Sequence, residues 1–220
     1  MRFASLHLSG VSRAAMFVSV LLCGGSRLAA QQRAAPTWHA SVIIGAPWSS
    51  LDFEGPDTPT DVTRRRGLTF GAELGRTINE RWGWSVAALP TERRTAWRTL
   101  DAGAPTLHFN SWHLDVPVLI RRSLRATKTI DVQLLGGLVF ASNGRGEVVV
   151  PGSNELLDII ALRRLEVSGA IGAHMQHNGA RFPIFARVQY QHGLTRLTER
   201  EPSASYRTLG VLAGATLWQW

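Results

Sequence analysis

Ser111, His113 and Asp115 have the residue types of an acyl-transfer site: a hydroxyl nucleophile, an imidazole base and an anion to orient the base. Asp131, Glu166, Ser168, His174 and Arg187 follow along the chain and add carboxylates, a second hydroxyl and imidazole, and a cation. The spacing argues against a triad. Alternate residues of an extended chain point the same way but stack roughly 7 Å apart, too far for a hydrogen-bonded relay. Facing one interior, such a set would instead pair charge with charge, Arg121 with Asp131 and Arg187 with a carboxylate. Asp115, Arg121, Asp131, Glu166, His174 and Arg187 are therefore expected to form a structural polar network. No catalytic residue and no cofactor is expected. His108 with His113, or His174 with His177, lack the spacing and the neighbouring cysteines of a zinc centre, so no metal is expected either.

The elements that must carry these residues are strands. Between Leu107 and Ser142, Trp112, Leu114, Val116, Val118 and Ile120 alternate with Ser111, His113, Asp115, Pro117, Leu119 and Arg121. After a polar break at 124–128, Ile130, Val132, Leu134, Leu138 and Phe140 alternate with Asp131, Gln133, Gly137 and Ala141. A period of two makes a hairpin with one apolar and one polar face. In a soluble sandwich the apolar face turns inward; in an outer-membrane barrel it turns outward to lipid.

Six further segments read the same way: strand one at 38–46, two at 68–77, three at 82–89, six at 165–176, seven at 182–191 and eight at 205–220. The sequence signals a tight reversal at Ile78–Arg81. At Asn178-Gly179 it predicts a two-residue turn that sets Met175 against Phe182. The last strand has two candidate outward faces, Leu209 to Leu217 or Leu212 to Trp220, and a terminal aromatic favours the second. Loops are expected at 47–66, 90–106, 143–164 and 195–204, with a capped helical turn beginning at Ser153-Asn154. Long and short connections thus alternate between eight strands, as in barrels with long external loops and short periplasmic turns.

The chain has 220 residues, 21 Gly, 8 Trp and a formal charge of +8. Its arginines are scattered and form no basic stripe, which argues against a nucleic-acid partner. Residues 1–30 read as a signal peptide: Arg2 and Arg13, an apolar run at 14–23, then Leu28-Ala29-Ala30 before Gln31. The domain is expected over 31–220. Cys23, the only cysteine, lies in the signal segment, so sheet closure must take the place of disulfides. Trp82, Trp84, Trp112, Trp218 and Trp220, with Trp38, fall near strand ends, where indoles suit a membrane interface. Arg64-Arg65-Arg66 and Arg93-Arg94 lie in expected external loops, within reach of lipopolysaccharide phosphates.

His113 to Arg121 followed by Leu134-Leu135-Gly136-Gly137-Leu138 resembles the strand pair of the PorT-type outer-membrane β-barrel family. Val167 to Gly172 and Arg187 to Leu194 are similar to its later Gly-rich strand and partner. The resemblance implies an outer-membrane, eight-stranded barrel and transfers no catalytic motif. Trp220 ends the chain with an aromatic, as barrels read by the assembly machinery do.

The expected fold is thus all-β, an eight-stranded antiparallel up-and-down transmembrane β-barrel in the outer membrane. Its expected partners are outer-membrane lipid, lipopolysaccharide and, through the C-terminal strand, the barrel-assembly machinery. The expected role is structural, adhesive or envelope-assembly accessory, without a wide pore. A periplasmic lipocalin-like carrier would instead bury Val116, Val118, Ile171 and Val188; a lumen lipid-modifying enzyme would need an accessible triad.

Overall fold

The computed structural model describes residues 37–54, 59, 61–98, 105–127, 129–150, 156–161, 163–178, 182–197 and 203–220. The expected signal segment lies outside them. Ten strands are present: β1 (Thr37–Glu54), β2 (Asp61–Arg66), β3 (Thr69–Thr77), β4 (Trp82–Arg98), β5 (Thr106–Ala126), β6 (Ile130–Val149), β7 (Leu156–Ala161), β8 (Leu165–His177), β9 (Ile184–Gly193) and β10 (Ser203–Gln219). β2 continues β3, and β7 continues β8, so the ten make eight staves, and β10 pairs antiparallel with β1 to close the ring. Closure gives every stave two partners, which removes the open edges that lipid cannot satisfy.

Stepping across the ladders from Ala40 leads through Leu74, Val86, Val118, Leu138, Gly169, His192 and Arg207 to Ser50. The path returns to β1 ten residues beyond its start. That stagger tilts the staves against the barrel axis. Residues at one height are therefore not ladder partners but lie several positions apart on neighbouring staves.

The apolar faces point outward. Val118, Ile171 and Val188 are 41%, 46% and 48% exposed, whereas inward Leu119 and Val139 are fully buried. A soluble carrier would reverse this arrangement. The interior is filled rather than hollow, as expected for eight staves. Leu51, Phe109, Val148, Leu197, Ala204 and Tyr206 form an apolar cluster at the long-loop end. Ile43, Ala87, Leu89, Phe185 and Leu212 form another lower down, beside one of Leu119, Leu135, Val139 and Ala170.

Several elements differ from the sequence reading. Much of the expected loops is strand: β1 runs on to Glu54, β4 to Arg98 and β6 to Val149, while β2 and β7 occupy Asp61–Arg66 and Leu156–Ala161. Above the lipid the outward face turns polar and the inward face mixes polar with apolar residues, so the apolar-out alternation is lost although the ladder continues. The expected helical turn begins in residues outside those described, but Leu156-Leu157 are extended. Asn178-Gly179 does not close a two-residue turn: His177 pairs with Ile184 and Met175 with Ala186. The tighter turn would have put Pro183, which has no N–H to give, inside a two-sided ladder. The shift is even, so the facing of β9 is unchanged.

In β10 both candidate faces are used in turn. Leu209, Val211 and Ala213 face out while Leu212 and Thr216 are buried. The β1 register then shifts, with Ala40 opposite Trp218 but Ser41 opposite Thr216. Leu217 is the extra residue, a bulge that reverses the phase. Trp218 and Trp220 therefore also face outward, 67% and 62% exposed.

Candidate functional site

The polar residues facing the lumen gather in two layers separated by apolar ones. In the layer nearer the short turns, Glu73 of β3 is 3% exposed and holds two cations. Arg187 of β9 donates through Nη2 to both its oxygens, at 3.0 and 2.7 Å. Arg121 of β5 donates Nη2 to Glu73 and its Nε to Ser85 Oγ at 3.2 Å. His174 of β8 lies alongside, 1% exposed, its ring 4.7 Å from that of Phe185.

In the second layer the ratio is inverted, with one cation between two carboxylates. Arg93 of β4 donates Nη2 to Asp115 at 2.9 Å and Nη1 to Glu166 at 3.0 Å. Ser168 Oγ donates to Glu166 at 3.2 Å, and the Arg93 guanidinium lies 4.7 Å over the Tyr206 ring. Ser111 Oγ is 2.6 Å from His113 Nε2 and 2.8 Å from the Tyr206 hydroxyl. Buried charges have few stable arrangements besides mutual pairing with hydrogen bonds, and both layers adopt one.

The structure brings Arg121 to Glu73 rather than to Asp131. Ladder pairing places Arg121 opposite Leu135, with a register shift between Ser123 and Arg125. Asp131 instead accepts from Ser123 Oγ at 2.7 Å and from the Gln133 amide, near the mouth. Asp115 and Glu166 meet through Arg93, and His174 belongs to the other layer. Ser111 and His113 do touch, contrary to the spacing argument, because their side chains lean towards each other. That pair makes no accessible site: Ser111, His113 and Asp115 are each 3% exposed or less, under the apolar cluster, with Asp115 bound to Arg93. Arg93 is itself a correction, since it was expected on an outer loop and is 1% exposed in the lumen.

Sequence reasoning left Glu73, Arg93 and Tyr206 out of the network. Glu73 stood on the inward face of its strand, so its parity was the available signal. For Arg93 the signal was weaker, an inward phase of Leu89, Thr91 and Thr95 running through Pro90. Tyr206 had only the continuous phase Thr208, Gly210 and Leu212 to mark it.

Outside, Trp38 and Trp84 stack edge-on at 5.5 Å, Arg76 covers Trp38 and Arg122 covers Trp82. With Trp218 and Trp220 they border the apolar band at the short-turn end. Trp112, 50% exposed, borders it at the other end, opposite Glu92. Beyond that border Arg64, Arg65, Arg66, Arg94 and Arg98 are exposed. Arg65 lies opposite Arg94 in the ladder, and its Nη1 is 2.7 Å from His108 Nδ1. Partial burial and then the Arg65 charge hold the His108 imidazole below its ordinary pKa.

No family model and no curated protein matches the chain. Among solved structures, the outer membrane protein OprG from Pseudomonas aeruginosa is similar at 10% identity and a TM-score of 0.52, over 84% of this chain and 95% of that one. The fold is that of a small outer-membrane barrel. Neisserial surface protein A (10% identity, TM-score 0.42, 84% of this chain and 98% of that one) and Ail, the attachment invasion locus protein of Yersinia pestis (15%, 0.37, 83% and 98%), also match. With no matching family model, the likeness to the PorT-type family is carried by its motifs alone.

Proposed function

We propose that the protein is a closed outer-membrane barrel of PorT-like kind, serving the envelope in an adhesive or assembly-accessory role rather than as a pore or enzyme. The supporting observation is the inversion of the molecule, with apolar side chains exposed around it and ion pairs buried within it. Such an arrangement is favourable only in lipid, where a cation at mid-bilayer depth costs roughly 2–4 kcal/mol. The packed lumen supports a barrel without a wide pore.

The working surface in this reading is the part of the wall beyond Trp112. The exposed arginines there sit at headgroup height, and a guanidinium fits phosphate oxygens bidentately. Lipopolysaccharide phosphates are accordingly the proposed outer partner. Trp218 and Trp220 face the lipid side at the end of β10, and in this reading that strand is the one offered to the assembly machinery. Fractionation followed by electrophoresis with and without heating tests the location. A membrane-bound, heat-modifiable band is expected; a soluble periplasmic monomer would refute the proposal.

A further inference from the structure

At the short-turn end, which faces the periplasm in an outer-membrane barrel, the outer wall of β3–β5 carries two arginines just past the apolar band. Arg76 follows outward Leu74 on β3, and Arg122 follows outward Val118 and Ile120 on β5. In the ladders Arg76 lies between Trp38 and Trp84, and Arg122 lies opposite Trp82. Their guanidinium groups sit 5.2 Å over the Trp38 ring and 5.4 Å over the Trp82 ring. Stacking holds each cation against the wall, but a ring carries no net charge to neutralise it. Neither arginine has an ion-pair partner among the described residues.

The pair is confined to one side of the barrel. On β6, β8, β9 and β10 the outward residues of this end include Leu134, Met175, Ile184 and Trp218, with no Arg, Lys, Asp or Glu among those described. The two arginines are also level. The ladder climbs towards the long loops as it circles the ring, so two strand steps from Arg76 lead to Ile120, which stands higher. Arg122, two residues further down β5, returns to the height of Arg76. By strand spacing their backbones are about 12 Å apart. That separation gives one guanidinium to each of two neighbouring headgroups.

We propose that this sector of the rim binds two anionic phospholipids of the periplasmic leaflet, each phosphate held by one guanidinium and the acyl chains lying along Leu74, Val86 and Ile120. A guanidinium fits phosphate oxygens bidentately, and an unpaired arginine at headgroup height is attracted to anionic lipid. A zwitterionic headgroup brings its own ammonium and leaves the two cations unneutralised. The inference rests on the outer-membrane location proposed above, but not on the outer arginines or on lipopolysaccharide. Native mass spectrometry of the folded, full-length mature barrel released from nonionic detergent tests it, with phosphatidylglycerol and phosphatidylethanolamine as probes. The parent is expected to retain two phosphatidylglycerol molecules and to favour them at least about fivefold over phosphatidylethanolamine. Arg76→Gln and Arg122→Gln should each lose one and the double variant both, whereas Arg65→Gln, on the outer wall, should leave both in place. Retained heat-modifiability shows that each variant is folded. Equal retention of the two lipids, or unchanged retention in the double variant, would overturn the proposal. A barrel that fractionates with the membrane yet retains no phosphatidylglycerol would overturn it as well, while leaving the location standing.

Discussion

Replacing Glu73 by Gln removes the charge that two buried guanidinium groups share while keeping the shape of the side chain. Arg121 is 5% exposed and Arg187 1%, so neither can turn to solvent without opening the wall. Breaking a buried pair by removing one partner costs about 3–5 kcal/mol, because the remaining charge stays desolvated. Here two cations lose their acceptor. The amide oxygen of Gln returns at most one neutral hydrogen bond, about 1 kcal/mol. The expected loss is about 4 kcal/mol, close to a thousandfold in the folding equilibrium. The assay is reversible urea unfolding in phospholipid vesicles, followed by tryptophan fluorescence. Replacing all three residues with apolar ones of similar volume should recover much of the loss, since a packed apolar substitute often matches a buried ion pair. Asp115→Asn provides the internal contrast, because Arg93 keeps Glu166 and should lose only about 1–3 kcal/mol. A Glu73→Gln variant within about 1 kcal/mol of the parent would refute the claim that this carboxylate holds the inner layer together.

Other consequences of the structure can be checked in the same vesicles. Val118→Arg, on the outward face of β5, should destabilise by about 2–4 kcal/mol, and a neutral result would remove Val118 from the lipid. Gly71 has a φ of 154°, and a Cβ there would come within 2.0 Å of the Ala88 carbonyl oxygen. Gly71→Ala should therefore lower stability by at least about 1–3 kcal/mol in urea unfolding, and an unchanged midpoint would contradict the close approach of β3 to β4. In NMR titration the His108 ring should protonate below the ordinary histidine range, and Arg65→Gln should move it upward. Identical curves for the two proteins would show that the Arg65–His108 contact is absent in solution.

The strands that cross the apolar band were legible wherever one face is apolar. Leu68 to Leu74, Trp112 to Ile120 and Leu165 to Met175 show their outward side in the sequence, because side chains alternate and lipid admits only one kind. The same parity placed Asp115, Arg121, Asp131, Glu166, His174 and Arg187 inside. It fails beyond the band, where the outward face turns polar and the inward face is mixed. Pro47 and Pro90 looked like loop starts, yet β1 and β4 continue beyond them, and Arg93 was misplaced with its strand. The bulge at Leu217 also defeats parity, since one extra residue reverses every side chain that follows.

Local sequence determined which way each residue points, since that depends only on the two-residue period of an extended chain. The tertiary structure alone decided which inward residues meet. Closure with a ten-residue stagger tilts the staves, so Arg93 lies opposite Ser111 in the ladder yet bonds Asp115, four positions further along β5. It also brings Glu73 to Arg187, across 114 residues of chain. Those partners are set by the register of the whole ring, to which every turn and bulge contributes, and no short stretch of sequence contains it.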